Sequence, residues 1–360
     1  MSRYVIFSGF LGAGKTTVMM AVANEMKKRG LRAGIVVNDL GRRDLVDREY
    51  TAALGYAVEM IHGGCICFLQ DELLEKIGRF RDEEGADLIL SDIPGCGIGA
   101  LKLVYHSLAK EHAGAVVLAP FTAVADPVRL GRLLPVKTDL QLPAEMDFLF
   151  DAQLKEAEVI LLNKIDTLTP ERTAELVTFL EKRYPQAKVF VVSAKTGAGI
   201  SVMLDWLMTH TSALPDPYLG KDTPAFEAAE EKLSWYDCQF RAEARDGGAF
   251  SGNDFCAALA EAIRAGLAAA GRNVPHLKLM AESGNGEFVK LSLIGIDLPL
   301  SVDAGLTGDC RSLSVIVNAR ATCEAPRLTA VCDMALQQAA KTCGVKAEVT
   351  FTECFNMMDD

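Results

Sequence analysis

An α/β fold with a mostly parallel, doubly wound sheet, followed by a smaller α+β domain, is the architecture that this 360-residue sequence predicts. Three observations predict it. Short apolar runs recur through the first 212 residues with helical patterns between them, as strands covered on both faces require. Turns rich in glycine, asparagine and aspartate follow several of those runs at once, where the carboxyl ends of parallel strands present ligand sites. Beyond a connector over residues 213–232, the pattern changes to apolar/polar alternation over 233–360, the mark of half-buried strands.

The first run, Tyr4-Val5-Ile6-Phe7, leads into Gly9-Phe10-Leu11-Gly12-Ala13-Gly14-Lys15-Thr16-Thr17, which fits G-x-x-x-x-G-K-[ST]. A helical pattern from Lys15 to Gly30 follows, with Val18, Ala21, Val22 and Met26 on one face. Glycines let the backbone wrap a phosphate chain, and successive N–H groups with the helix N-terminus hold the anion. Gly12, Ala13, Gly14, Lys15, Thr16 and Thr17 are therefore candidate nucleotide contacts, with Lys15 on the terminal phosphates and Thr16 on Mg²⁺. This makes the first domain a P-loop NTPase.

Ala33-Gly34-Ile35-Val36-Val37 is the second buried strand, and it ends at Asn38-Asp39, which places Asp39 near the phosphates. For Asp39 a metal-linked role and a plain surface charge both stand. Asp44 and Asp47, in the polar segment beyond, read as solvated charges. After a short run from Val58 to Ile61 and a helix from Leu69 to Arg81, Leu88-Ile89-Leu90 runs into Asp92-Ile93-Pro94-Gly95. A D-x-x-G after a strand supplies a Mg²⁺-linked carboxylate, Asp92, and an amide, that of Gly95, that senses a γ-phosphate. Cys96 occupies the next position, where many GTPases carry a water-orienting glutamine. Slow intrinsic hydrolysis, or a water positioned from elsewhere, is expected.

Ala115-Val116-Val117-Leu118 is the next strand, and a long loop with Pro127, Pro135 and Pro143 follows it. Glu158-Val159-Ile160-Leu161-Leu162 then delivers Asn163-Lys164-Ile165-Asp166. In N-K-x-D the aspartate accepts from the N1–H and amino group of guanine, while Asn163 and the Lys164 stem fix the loop. Adenine lacks that donor pair and would leave a carboxylate unpaired, a penalty of roughly 1–3 kcal/mol. Val189-Phe190-Val191-Val192 and the turn Ser193-Ala194-Lys195, whose amides meet the guanine O6, complete the set. The nucleotide is GTP.

His62-Gly63-Gly64-Cys65-Ile66-Cys67 offers two thiols one residue apart on a loosened turn. They suit a borderline cation such as Zn²⁺ or Co²⁺, and equally read as two partly buried thiols. Cys96 is a third thiolate if the turn folds over the phosphates, or else a small apolar filler. The formal charge of -11 argues against sequence-independent nucleic-acid binding. No apolar run approaches the roughly 20 residues that span a bilayer, and Met1 to Phe7 reads as a strand rather than a signal peptide. Ten cysteines scattered without a disulfide framework point to a reducing cytoplasm.

Over about residues 1–210 the chain resembles the CobW/UreG/HypB family of P-loop GTPases, metal chaperones and cofactor-insertion factors. The resemblance is strongest in Ser8-Gly9-Phe10-Leu11-Gly12-Ala13-Gly14-Lys15-Thr16-Thr17. Glu59 through Cys67 is similar to the segment carrying a G-C-x-C-C metal motif, with Gly64, Cys65 and Cys67 matching and Phe68 in place of the last cysteine. The resemblance implies that Asn38-Asp39-Leu40-Gly41 is a first switch and Asp92 the Mg²⁺-linked residue. It also implies delivery of a metal (Zn, Co or Ni) or a corrinoid to a client metalloenzyme or corrinoid protein, and a homodimer as one form. No histidine-rich tract of the kind many relatives carry is present, so metal storage is not expected. A GTP-dependent switch docking on such an enzyme without moving metal is the alternative. A small-molecule kinase is disfavoured by the N-K-x-D.

In the second domain, Tyr236, Cys238, Phe240 and Ala242 alternate with polar residues as a strand. Asn253 or Ser251 caps a helix with Phe255, Leu259, Ile263 and Leu267 in one stripe, closed by Gly271. Strands flank Ser283-Gly284-Asn285-Gly286, another covers Leu313 to Val317, a helix runs from Pro326 to Cys343, and Val345 to Phe351 is the last strand. Seven of the ten cysteines lie here with no C-x-x-C, so they read as core thiols. His276 and Trp235 belong to no motif.

Overall fold

A computed structural model describes residues 1–43, 45–95, 97–138, 140–216 and 223–356. Asp44, Cys96 and Pro217 lie outside the described residues. The chain divides into two compact units: one of Met1–Arg42, Thr51–Asp139 and Glu145–Phe226, the other of Arg43–Tyr50, Leu140–Ala144 and Glu227–Asp360.

The strands of the first unit are β1 (Arg3–Ser8), β2 (Ala33–Asn38), β3 (Val58–Ile61), β4 (Leu88–Asp92), β5 (Val117–Leu118), β6 (Thr122–Ala125), β7 (Val159–Leu162) and β8 (Lys188–Val191). All pair in parallel, in the order β3-β2-β4-β1-β6-β7-β8, with β5 also beside β1. The helices along the chain to this point are α1 (Lys15–Lys28), α2 (Val46–Ala53), α3 (Gln70–Gly78), α4 (Ser107–Glu111), α5 (Pro127–Leu130), α6 (Glu145–Glu156), α7 (Pro170–Arg183), α8 (Ile200–Thr209) and α9 (Pro224–Glu230). Strand β1 is central, and Tyr4, Val5, Ile6 and Phe7 are fully buried, as an unbroken apolar run predicts. The chain reverses direction across the sheet at β1, between β4 and β6, and ligand sites belong outside the strand ends there.

Three departures from the sequence reading have local causes. The strand expected over 115–118 is only Val117–Leu118, and the ladder resumes as β6 in what read as loop. Pro120 lies at the break, because it has no N–H to donate to a ladder. Accordingly β5 pairs the start of β1 (Arg3 with Val117) and β6 its end (Phe7 with Thr122). Helix α6 also occupies expected loop. Its buried side includes the polar Gln153 and Glu156 beside Met146, Leu149 and Phe150, which blurs the apolar stripe. The helix expected to Arg81 ends at Gly78 and continues as a π-helical turn, Arg79–Glu83.

The second unit is an antiparallel sheet of β9 (Ser234–Ala244), β10 (His276–Ser283), β11 (Phe288–Leu293), β12 (Ser301–Ala304), β13 (Ser312–Ala321) and β14 (Val345–Asn356), ordered β12-β11-β10-β13-β9-β14. Helices α10 (Gly252–Ala269) and α11 (Ala325–Thr342) share one core with it, in which Phe255, Leu259, Ile263, Leu328 and Cys332 meet Tyr236, Phe240, Leu279 and Val317. Ser251 caps α10, its Oγ accepting from the Asp254 N–H at 3.2 Å. The nine described cysteines are free thiols. Burial pushes the Cys323 thiol up to about 11 and the Cys332 thiol well above its ordinary value, so these sulfurs stay protonated as core groups. Trp235 stacks on Phe355 with ring centres 6.1 Å apart.

Some polar positions of these strands are buried as well. Asp237 accepts from Arg320 Nη1 at 2.7 Å and from Asn318 Nδ2 at 2.8 Å, and all three side chains lie almost wholly out of solvent. Segment 43–50 belongs to this unit: the Val46 N–H donates to Asn318 Oδ1 at 2.8 Å, and the Tyr50 ring meets Phe288 edge-on at 5.8 Å. Lys278 Nζ reaches Asp47 at 2.6 Å, so Asp47 is an ion-pair partner and not the solvated charge its polar surroundings suggested. Asp237→Ala removes the carboxylate from a buried guanidinium and is expected to cost about 3–5 kcal/mol. Urea denaturation of the variant checks this, and a loss below about 1 kcal/mol would contradict it.

Candidate functional site

The phosphate loop joins β1 to α1. Gly14, at φ +98°, is the N-cap of α1, in a left-handed conformation that an L side chain resists. A Cβ there would also stand 2.6 Å from Asn163 Nδ2. The Lys15 side chain folds back over the loop, its Nζ donating to the Gly9 carbonyl at 2.7 Å. Thr16 is buried and Thr17 exposed.

Two other strand ends close on this loop. Asn163, at the end of β7, donates from Nδ2 to the Ala13 carbonyl at 3.0 Å and accepts the Ala194 N–H on Oδ1 at 3.0 Å. Lys164 has φ +61°, and its Nζ donates to the Gly12 carbonyl at 2.6 Å. Asp166 is exposed and accepts from Ser193 Oγ at 2.6 Å, while Lys195 is exposed on the same turn. The N-K-x-D loop, the Ser193-Ala194-Lys195 turn and Gly12-Ala13-Gly14 thus form one hydrogen-bonded body. On the other flank, Asp92 is buried at the end of β4 and accepts the Asn38 N–H on Oδ1 at 2.8 Å. Gly95 lies flush with the phosphate loop: a Cβ would stand 2.8 Å from the Leu11 nitrogen. Asp39 is half-buried and turns onto its own loop, accepting the Gly41 N–H at 3.0 Å.

The cysteine turn is held by Asn38. The Asn38 amide donates to the Gly64 carbonyl at 2.8 Å and accepts the Ile66 N–H at 3.0 Å, on the same residue whose backbone N–H meets Asp92. Cys65 is half-buried, and its Sγ accepts the Cys67 N–H at 3.4 Å. Cys67 is buried in the core of this unit, and Phe68 is exposed. Among the described residues, no group of three or more His, Cys, Asp or Glu side chains is arranged to hold a metal ion.

Several supporting residues escaped the sequence reading. Asp126, fully buried after β6, caps α5, pairs with Arg129 Nη1 at 2.8 Å, and lies 3.6 Å from Lys164 Nζ. Burial opposes ionisation of Asp126, but Lys164, Arg129 and backbone N–H groups outweigh it and hold its carboxyl below the usual carboxylate range. For Lys164 burial prevails over Asp126 and lowers its pKa. Asp-Pro at a strand end was the available signal, as an N-cap followed by Pro at the first helical position. Asn38 belongs to the expected first switch, but its bonds to the cysteine turn and to Asp92 escaped that reading, since those partners are far along the chain.

A parallel sheet with a phosphate loop after its central strand and an N-K-x-D loop bonded to it defines the class: a P-loop GTPase. The model of the CobW/HypB/UreG nucleotide-binding domain matches residues 3–191, and the chain belongs to that family. Among its relatives, "Zinc-regulated GTPase metalloprotein activator 1" of Dictyostelium discoideum is 25% identical over 214 residues, covering 51% of this chain and 44% of that protein. "Zinc chaperone CobW" of Pseudomonas aeruginosa is 24% identical over 220 residues, covering 55% and 58%. The chain thus spans about half the length of the curated relatives it matches. Zn(II)-bound YjiA GTPase from E. coli is similar at 15% identity and a TM-score of 0.38, over 88% of this chain and 94% of that one. Among the described residues no helix is long and apolar enough to cross a membrane.

Asp126→Asn is expected to cost about 3–5 kcal/mol at neutral pH, since it uncouples a buried pair. The folded-state pKa of Asp126 lies below the unfolded value of about 3.9, so its stabilisation is present above that value and lost as pH falls through the folded one. Denaturant midpoints of wild type and variant should therefore converge in acid. Curves that stay parallel down to pH ~2 would refute the assignment.

Proposed function

We propose that this protein binds GTP, hydrolyses it slowly, and uses its nucleotide state to gate delivery of a metal or metal cofactor to a client metalloenzyme or corrinoid protein. One observation carries the nucleotide part: Asn163 and Lys164 bond to the carbonyls of Ala13 and Gly12, so the base-reading loop and the phosphate loop are a single body. In this reading Asp166, already accepting from Ser193, takes the guanine N1–H and amino group, and the Ser193-Ala194-Lys195 amides meet O6. Gly12, Ala13, Gly14 and Thr17 line the phosphates.

Lys15 exchanges its bond to the Gly9 carbonyl for the terminal phosphates, and its charge neutralises what develops there. Thr16 and Asp92, both buried beside the loop, with Asp39 nearby, are the groups that would hold Mg²⁺, which when bound neutralises phosphate charge. Gly95 would present its N–H to the γ-phosphate. With a cysteine at position 96 in place of a glutamine, turnover without a partner is slow.

The cargo is Zn²⁺ or Co²⁺, carried by Cys65 and Cys67 with Cys96, and zinc is the metal in the names of two relatives. The Asn38 bonds that link the cysteine turn to Asp92 support communication between cargo and nucleotide. A switch that docks on its client without moving metal is the second reading, favoured by Cys67 packing as a core thiol. Cytoplasmic residence and dimerisation around nucleotide belong to the same proposal.

Lys15→Ala should abolish nucleotide binding or turnover. Asp166→Asn should shift preference from guanosine to xanthosine nucleotides by about a hundredfold, on the order of 2.7 kcal/mol; unchanged GTP affinity counts against base reading. Titration of the GTP-bound protein with Zn²⁺, with and without Cys65→Ala, separates chaperone from switch. Stoichiometric binding lost in the variant supports the first.

A further inference from the structure

Helix α6 carries two buried polar side chains, Gln153 and Glu156, that the nucleotide chemistry above does not use. They stand three residues apart and so share a face of the helix. Gln153 is fully buried, and its Nε2 donates both to the Gly95 carbonyl at 3.0 Å and to the Gly97 carbonyl at 3.1 Å. Glu156 is 2% exposed, and its Oε1 accepts the Gly99 N–H at 2.7 Å. The donor and acceptor types match their partners: an amide N–H₂ for two carbonyls, a carboxylate for an N–H. The turn held this way is the one whose Gly95 lies flush with Leu11 of the phosphate loop.

A turn free to leave the phosphate loop would have to be ordered by the γ-phosphate when it arrives, at a cost in conformational entropy. A turn already held loses less, and holding it strengthens binding only of a ligand that meets it. A γ-phosphate meets the Gly95 N–H in the reading proposed above, whereas a diphosphate does not reach it. We infer that Gln153 and Glu156 are positioning residues that hold the backbone of Gly95, Gly97 and Gly99 in place beside the phosphate loop and thereby set the preference for GTP over GDP. This rests on the guanine-nucleotide reading of the site. The two residues touch no substrate and act through the backbone of the turn.

The experiment measures affinities of the full chain for a non-hydrolysable GTP analogue and for GDP, together with single-turnover hydrolysis and thermal melting. Gln153→Met keeps the side-chain length and removes both donors. It should weaken the GTP analogue about tenfold, equivalent to about 1.4 kcal/mol, leave GDP within about twofold, and slow hydrolysis. Glu156→Ala should produce the same selective loss, and Glu156→Gln, whose amide oxygen still accepts from Gly99, should restore it. Equal weakening of both nucleotides, or an unchanged ratio in folded Gln153→Met, overturns the inference. If Gln153→Met does not fold, Glu156→Ala decides by the same ratio. If neither folds, the pair serves stability alone and the inference fails. Wild-type protein that binds no guanine nucleotide would instead sink the reading of the site itself.

Discussion

Two backbone carbonyls, those of Gly12 and Ala13, constrain the whole first unit. They sit in a tight loop just ahead of a helix N-terminus, where the helix supplies donors but has none to spare for them. Lys164 and Asn163 donate to them from another strand end, 152 and 150 residues away in sequence. Once those bonds form, the spacing between the two loops is set by protein and not by ligand. Each loop also acquires the rigidity of the strand behind it, because β1, β6 and β7 are adjacent in the sheet.

A second layer of buried polar groups maintains that geometry. Asp126 and Arg129 share a buried ion pair, with Lys164 also within 3.6 Å of Asp126. Such a cluster is tolerated out of water because each charge faces another and the Asp126 carboxylate also accepts the N–H groups of Val128 and Arg129. Asn38 does comparable work on the opposite flank without a charge, its backbone N–H meeting Asp92 while its side-chain amide holds the cysteine turn. Broken singly, any of these bonds leaves a buried group without its partner, a larger loss than the bond contributes when made.

The second unit follows a different rule. Its helices cover one sheet face with aliphatic and aromatic side chains, while the alternate positions hold Asp237, Asn318 and Arg320, buried and bonded to one another. Segment 43–50 joins this network through Val46, Asp47 and Tyr50. The alternation in β9 correctly announced a strand with Arg241 and Glu243 exposed, yet Asp237 on the same face is buried, because polarity in a sequence does not distinguish water from a buried partner.

The motif residues were legible because backbone chemistry at a strand end admits few solutions: glycines where φ is positive or an approach is close, Lys and Thr at a helix start, Asn and Asp where a loop must be capped. The buried parallel strands were legible too, since apolar runs between turn residues have little else to be. Only the tertiary structure could reveal that Pro120 splits one strand in two, that Gln153 and Glu156 make α6 a helix with a polar buried side, and that Asp126 belongs beside Lys164. The polar side of α6 and the place of Asp126 depend on pairing between groups far apart along the chain. A local pattern records what a residue prefers, and only folding decides which partner satisfies it.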